Sequence, residues 1–355
     1  MKVALAHDML AARAGGERVL VALARIWPDA EIHTLIHDPD ATFGELHGRT
    51  VHSSRLSRVA WIRRNYRSLA LLGPLLWRLR RIDADVVICS TSGLSHHFGG
   101  RARRVVYCHT PARWLHATDA YLTGWPLPVR MIARATRPLM RRSDRYAMRR
   151  ADAVIANSHR IAEEIHSRYG IEAEVIAPPS SLELDGSVTA VDGLEPGFAL
   201  SVTRPLGYKR LDVLVDAARR RPDDCFVLIG DGPHRDALRA EAPDNLKMLG
   251  AVGDDVLRWC YRNARAAVVT AAEDFGLVPL EATAHGLTTI APNARGLRDH
   301  DPDTLELYEF GSVDGLLDAL DRAAPPTGVQ VPARLGHDRF ETGLRAIVDA
   351  PTLDT

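Results

Sequence analysis

Cysteine, lysine and aromatic residues are scarce in this chain, and long apolar runs are missing. Its four cysteines, Cys89, Cys108, Cys225 and Cys260, show no metal-ligand spacing. They read as reduced, mostly core thiols of a cytoplasmic protein. No stretch approaches the roughly 20 apolar residues that a membrane span requires. The opening M-K-V-A-L-A-H-D has no extended apolar region or cleavage site behind Lys2, so it reads as a mature first strand and not as a signal peptide. There is no G-x-G-x-x-G fingerprint, no P-loop, no low-complexity tract and no short repeat. Asp38-Pro39-Asp40 and Asp301-Pro302-Asp303 look like D-x-D pairs, yet both sit in Pro-containing loops with no strand leading tightly into them. No metal site is expected.

What the chain does hold is enough residue for two cores. Its 355 residues exceed one ordinary core and suit two domains of about 150 to 180 residues each. Hydrophobic residues make up 46% and charged residues 25%, as in a globular protein. Net charge is zero but lopsided: residues 1–150 carry 25 Lys or Arg against 11 Asp or Glu, and the remainder carries 20 against 34. The basic residues concentrate at Arg55 to Arg81 and Arg130 to Arg150, and nearly all are Arg, because Lys2, Lys209 and Lys247 are the only lysines. No nucleic-acid motif accompanies them. The surface has two readings: one that lies near an anionic membrane or acceptor, and one that is solvated or paired with the acidic second half.

Apolar runs alternate with amphipathic ones. Val3 to Ala6, Ile32 to Ile36, Val86 to Cys89, Val105 to Cys108 and Val154 to Ala156 read as short buried strands, with helices over Glu17 to Ile26, Val59 to Arg80, Val129 to Arg149 and Arg160 to Tyr169. Pro178 to Gly197 reads as a linker. A second series follows: strands at Phe198 to Val202, Cys225 to Ile229, Leu246 to Leu249, Ala266 to Thr270 and Thr288 to Ala291. Its helices are Leu211 to Arg221, Asp236 to Glu241, Asp255 to Asn263, Pro279 to His285 and Val313 to Arg322, and a last helix covers Arg334 to Val348. This βα alternation predicts two doubly wound α/β domains whose strand C-terminal ends face a central cleft.

The chemistry-bearing residues fall at those strand ends. Glu273 and Glu281 bracket the apolar, Gly-containing turn E-D-F-G-L-V-P-L-E between a strand and a helix start, where an anionic or polyhydroxyl ligand can meet backbone N–H groups; Glu281 has an alternative as a first-turn cap. Gly15-Gly16-Glu17-Arg18 opens a helix after the first strand and permits close backbone approach to a phosphate, or is a structural turn. Arg204 and Lys209, after the strand at 198–202, can neutralise a diphosphate as it departs. Gly230-Asp231-Gly232-Pro233 is a tight turn that can border a nucleobase. His109 ends a strand in V-V-Y-C-H, either facing a ligand or packed on backbone. Trp114 and His116 either shape an acceptor pocket or pack. His7-Asp8 and Asn157-Ser158-His159 occupy similar places, and Ser158 and Asn157 have a helix-capping alternative.

In chain order, G-G-E-R at 15–18, Y-C-H-T-P at 107–111, the block at Arg204, Tyr208, Lys209 and Arg210, G-D-G-P at 230–233, L-G-A-V at 249–252 and A-E-D-F-G-L-V-P-L-E-A at 272–282 resemble the GT-B, retaining, nucleotide-sugar-dependent glycosyltransferases of family 4. Y-C-H-T-P and Y-K-R-L-D are most similar to bacterial mannosyltransferase-type members. The resemblance implies a GT-B fold of two Rossmann-like domains, 1–185 on the acceptor side and 186–333 on the nucleotide-sugar side, with 334–355 crossing back to the first. It implies that Gly15 and Gly16 approach the donor phosphate, and that Arg204 and Lys209 grip the diphosphate. Glu273 would bind sugar hydroxyls beside the backbone of Phe275, Gly276 and Leu277. Glu281 would take the ribose, Gly230 and Val252 would line the nucleotide site, and His109 would contact the transferred sugar. After Glu281 the chain departs from the pattern: Ala294-Arg295-Gly296 replaces the customary Gly pair, and the later segment looks shortened.

The implied activity is transfer of a hexose-like sugar from a nucleoside diphosphate donor, GDP-mannose in preference to UDP- or dTDP-sugars, to an acceptor hydroxyl. The acceptor would be a saccharide, a lipid-linked saccharide or a natural product. The donor is a substrate and no cofactor is expected. The enzyme would be metal-independent, cytoplasmic and in peripheral contact with the inner membrane face, with no nucleic-acid partner. Two other classes stay open: a GT-B-like epimerase or phosphorylase, told apart by its products, and a non-catalytic sugar-nucleotide-binding subunit.

Overall fold

The computed structural model describes residues 1–64, 72–116, 127–180, 182–273, 275–297, 299–300, 302–328 and 336–350. The chain divides into two units, Met1–Pro179 with Asp338–Thr355, and Ser180–His337.

The first unit is a parallel seven-stranded sheet of β1 (Val3–His7), β2 (Glu31–Thr34), β3 (Val51–His52), β4 (Val86–Thr91), β5 (Arg103–Cys108), β6 (Ala153–Ala156) and β7 (Glu174–Val175), in the order β3-β2-β1-β4-β5-β6-β7. All six residues of β4 are buried, because helices cover both faces and the strand can be apolar throughout. One face packs Trp77, Val87, Cys89, Val106 and Ile165 together; the other packs Leu5, Leu20, Leu23, Ile88 and Tyr107. The last helix, His337–Val348, joins this second face through Phe340, Leu344 and Val348. Arg103 fixes its end by donating to the carbonyls of Ile347 and Val348.

The second unit holds β8 (Phe198–Val202), β9 (Phe226–Ile229), β10 (Leu246–Gly250), β11 (Ala264–Val268), β12 (Thr289–Pro292) and β13 (Leu305–Tyr308), again parallel, in the order β10-β9-β8-β11-β12-β13. In each sheet the strand order reverses direction once, beside β1 and beside β8 respectively. The loops leaving the two strands at such a point diverge and open a crevice at the strand C-terminal ends. Arg258, 5% exposed, donates to the carbonyls of Glu183 and Ser187 and so anchors the irregular stretch that follows Pro179.

Several expected boundaries change. The span expected as one helix over Val59 to Arg80 contains two short helices, Ala60–Arg64 and Gly73–Arg78, with 65–71 outside the described residues. Arg80 is not helical: its carbonyl accepts from Gly99 N, and its guanidinium donates to His52 O. The last helix begins at His337, and 334–335 lie outside the described residues. β13 lies within the segment that looked shortened. Among the described residues no helix is long and apolar enough to cross a membrane.

Candidate functional site

In the first unit the candidate residues gather where β1, β4 and β5 end. Ser90, the fifth residue of β4, stands between two imidazoles: its Oγ is 3.0 Å from His7 Nδ1 and 2.8 Å from His109 Nε2. A hydroxyl has one proton, so Ser90 donates to one ring and accepts from the other, which ties the tautomers of His7 and His109 together. Burial, and then the neighbouring His7, push His109 down to about 3, so its ring is neutral at ordinary pH. The backbone around His109 is held twice, by its N–H to Thr91 O and by Asn157 Nδ2 donating to its carbonyl. Asn157 therefore braces β5, while Ser158 caps the helix His159–Tyr169 by accepting from Ile161 N.

Gly15 and Gly16 open the helix Gly15–Ile26. A Cβ on Gly16 would lie 3.5 Å from His7 Cε1 and 3.7 Å from His109 Nε2. That is ordinary contact, so the protein itself leaves room for a methyl group, directly over the two imidazoles. Glu17 Oε1 reaches to 4.0 Å from His7 Nε2. Asp8 collects the β4 turn: its carboxylate accepts from Thr91 Oγ1, Ser92 N and Ser95 N at 2.7–2.8 Å.

In the second unit the site lies at the strand reversal between β8 and β11. Lys209 ends the 3-10 turn Gly207–Lys209 after β8, and Glu273 follows β11. Lys209 Nζ is 2.6 Å from Glu273 Oε1, and Thr270 Oγ1 donates to Lys209 O at 2.6 Å. These residues, with Thr203 and Val278, wall a pocket over the strand ends. Arg210 takes the left-handed conformation (φ 49°), and its guanidinium pairs with Asp212. Arg204 is not held by that pair: its Nε leans to the carbonyl of Asp231 at 3.5 Å. Gly230 has φ 134°, and a Cβ there would sit 2.2 Å from Thr203 O, so the loops after β8 and β9 can touch only through glycine. Val252 is half-buried and packs with Leu249 and Val256 on the core.

Gly276, with φ 86°, is the N-cap of the helix Leu277–Ala284, and no side chain caps that end. Its first amides, on Leu277 and Val278, precede Pro279, which has no N–H. Phe275 is buried, and His300 Nε2 donates to its carbonyl at 2.7 Å. Glu281 is 7% exposed, and Tyr261 donates to its Oε2 at 2.9 Å. His285 stacks on Tyr261 at 5.0 Å and bonds back to Glu281 O.

The structure thus joins Lys209 to Glu273, and His109 to His7, while Arg204 and Glu281 have partners of their own. Sequence reasoning missed Ser90, Thr270, Tyr261 and His300. Ser90 and Thr270 had a signal, since each stands at or just past the end of a buried strand; Tyr261 and His300 had none.

Two family models match the chain in tandem, one described as Glycosyltransferase Family 4 over residues 13–183 and one described as Glycosyl transferases group 1 over residues 198–324. Similar solved structures include Anabaena HepE in complex with UDP and glucose, at TM-score 0.71 and 17% identity over 99% of this chain and 100% of that one. Another is the lipopolysaccharide outer core galactosyltransferase WaaB in its apo form, at TM-score 0.60 and 20% identity over 98% and 99%. A glycosyltransferase from Rickettsia africae matches at TM-score 0.55 and 13% identity over 98% of each chain. At these identities the likeness concerns fold, and the fold is GT-B. No curated protein matches the chain.

Proposed function

We propose that this chain is a family 4 glycosyltransferase, a reading supported by the two family models that match it in tandem, and that it moves a hexose from a nucleoside diphosphate donor to an acceptor hydroxyl with retention of anomeric configuration. The observation that carries the reading is the Lys209–Glu273 pair at the strand reversal beside β8. A cation and a carboxylate there suit the two ends of one ligand, diphosphate and sugar.

In this reading Lys209 and Arg204 neutralise the diphosphate and stand in for a divalent cation. Glu273 holds sugar hydroxyls, and in the absence of donor it keeps Lys209 in place. The Leu277–Ala284 helix start, with Phe275, Gly276 and Leu277, receives phosphate and sugar; Glu281, oriented by Tyr261, takes the ribose, and Gly230 and Val252 border the nucleotide. Gly15 and Gly16 give the phosphate room, and neutral His109 meets the transferred sugar. The C1–O bond to phosphate breaks while the C1–O bond to the acceptor forms on the same face, and a leaving phosphate oxygen takes the acceptor's proton. Residues 1–185 serve the acceptor and 186–333 the donor.

Two donors are favoured by different observations. Y-C-H-T-P and Y-K-R-L-D favour GDP-mannose; the UDP and UDP-glucose named in the HepE complexes favour a UDP-hexose. Peripheral contact with the inner face of a membrane is supported by the Leu127–Met148 helix, where exposed Met131, Ile132, Leu139 and Tyr146 are interleaved with arginines. Calorimetry with GDP-, UDP- and dTDP-hexoses, without added metal, tests the donor site. One nucleotide should bind selectively, and the anomer of the product, read by NMR, tests retention. Folded protein that binds no donor would overturn the reading.

A further inference from the structure

His96, His97 and His116 converge on one buried carboxylate in the first unit. His96 Nε2 and His97 Nε2 lie 3.0 and 3.5 Å from Asp144 Oδ1, and His116 Nε2 lies 3.6 Å from Oδ2. The side chains of His96, His97 and Asp144 are at most 2% exposed, and that of His116 is 11% exposed. From these observations we propose that His96, His97 and Asp144, with His116 beside the carboxylate, bind a zinc-class divalent cation, which clamps the Leu127–Met148 helix to the turn after β4.

Two features support it. First, the ring nitrogens of His97, and Nε2 of His116, are buried without a hydrogen-bond partner. Orphaned ring nitrogens this deep are costly, and a metal ion is what an unprotonated imidazole nitrogen accepts. Second, the donor atoms of His96, His97 and Asp144 all lie within 4.8 Å of one another. Metal–ligand bonds of about 2.0–2.1 Å put tetrahedral ligand atoms about 3.3 Å apart, and the two Oδ1 distances bracket that value. The donor set, imidazoles and one carboxylate, is that of zinc.

The surroundings are built to hold such ligands. Tyr169 OH donates to Asp144 Oδ2 at 2.7 Å, orienting the carboxylate. Asp8 accepts from Ser95 N and so fixes the 3-10 turn Ser95–His97. Arg137 donates to the carbonyls of Leu115 and His116, fixing the short helix that carries His116. A second group, Glu31, His33 and His52, is partly exposed and serves as the comparison.

The test is titration of tag-free, chelator-stripped protein with Co²⁺. Expected are about one equivalent bound tightly, intense visible absorption of a tetrahedral ion, and displacement by Zn²⁺. His97→Gln should weaken binding at least about tenfold, and His52→Gln should leave it unchanged. X-ray absorption of zinc-loaded wild type, which needs no variant, should show a shell of imidazole nitrogen and oxygen at about 2.0 Å. Folded wild type that binds no Co²⁺, or binding lost in His52→Gln and kept in His97→Gln, would overturn the proposal and leave a hydrogen-bond hub around Asp144.

Discussion

Lys209 and Glu273 meet at 2.6 Å although 64 positions separate them. The pairing works because β8 and β11 are neighbours in the sheet, so residues just past each strand share one rim. Both side chains keep some water contact, 16% and 24% exposed, and the pair therefore contributes little to stability, on the order of 1 kcal/mol. Lys209→Ala and Glu273→Gln should each shift Tm by only a few degrees while lowering kcat/KM by roughly 10²- to 10³-fold. Equal and large Tm losses with little kinetic effect would instead make the pair a structural brace.

Gly16→Ala separates folding from activity. The methyl group finds ordinary contacts with His7 and His109, and a helix gains up to about 1 kcal/mol from the exchange. Stability should hold or rise slightly, and donor turnover should fall by about tenfold or more, as expected when a methyl group displaces a ligand that needs close backbone approach. Urea denaturation alongside initial rates reads both. Unchanged turnover would mean that no ligand comes near this helix start.

Tyr261→Phe removes the hydrogen bond to Glu281 and keeps the stack on His285. The buried carboxylate loses a partner, which should cost about 1–3 kcal/mol of stability. If Glu281 holds the donor's ribose, KM for the donor rises while kcat stays near wild type, since the loss falls on binding and not on the reacting bond. A kcat loss at constant KM would count against that role.

Acid sensitivity follows from two histidines. His33 is pushed down to about 4, first by burial and then by His52 and Arg80, with Glu31 opposing. His109 is pushed down to about 3 by burial and then by His7, with Asp8 opposing. Both are neutral in the folded protein, whereas in the unfolded chain they titrate near 6.5, about the ordinary value. The unfolded state binds more protons in between, so this stability is complete above about pH 6.5 and is lost as pH falls toward 4 and 3. Each group adds a slope of up to about 1.4 kcal/mol per pH unit. The denaturation midpoint should be level from about pH 7 to 8 and drop below about 6.5, with a shallower drop in His33→Gln. A wild-type midpoint that is flat down to pH 5 would refute it.

The strand–helix alternation was legible because strands such as β4 and β5 are buried on both faces and bounded by turns. β3 and β7 were not, since two residues at a sheet edge carry no periodicity. β13 was hidden behind Asp301-Pro302-Asp303 and is only partly buried apart from Tyr308. Topology made the strand ends readable as sites, and Lys209, Glu273 and His109 stand there. Their partners were out of reach. Ser90 touches His109 across 19 positions, and His96 meets Asp144 across 48; local ligand spacing, the only metal signal a sequence offers, is blind to both.

The packing of Phe340, Leu344 and Val348 against Tyr107 and Trp27 sets an order of events during synthesis. The first unit comes first in the chain, yet one face of its core is closed by a helix made about 160 residues after β7, with synthesis running N- to C-terminal. Until that helix leaves the ribosome, the groove beside Tyr107 is open apolar surface. Residues 1–179 expressed alone would keep it open permanently, so sheet, solubility and protease resistance should return together when 337–350 is supplied as a separate peptide.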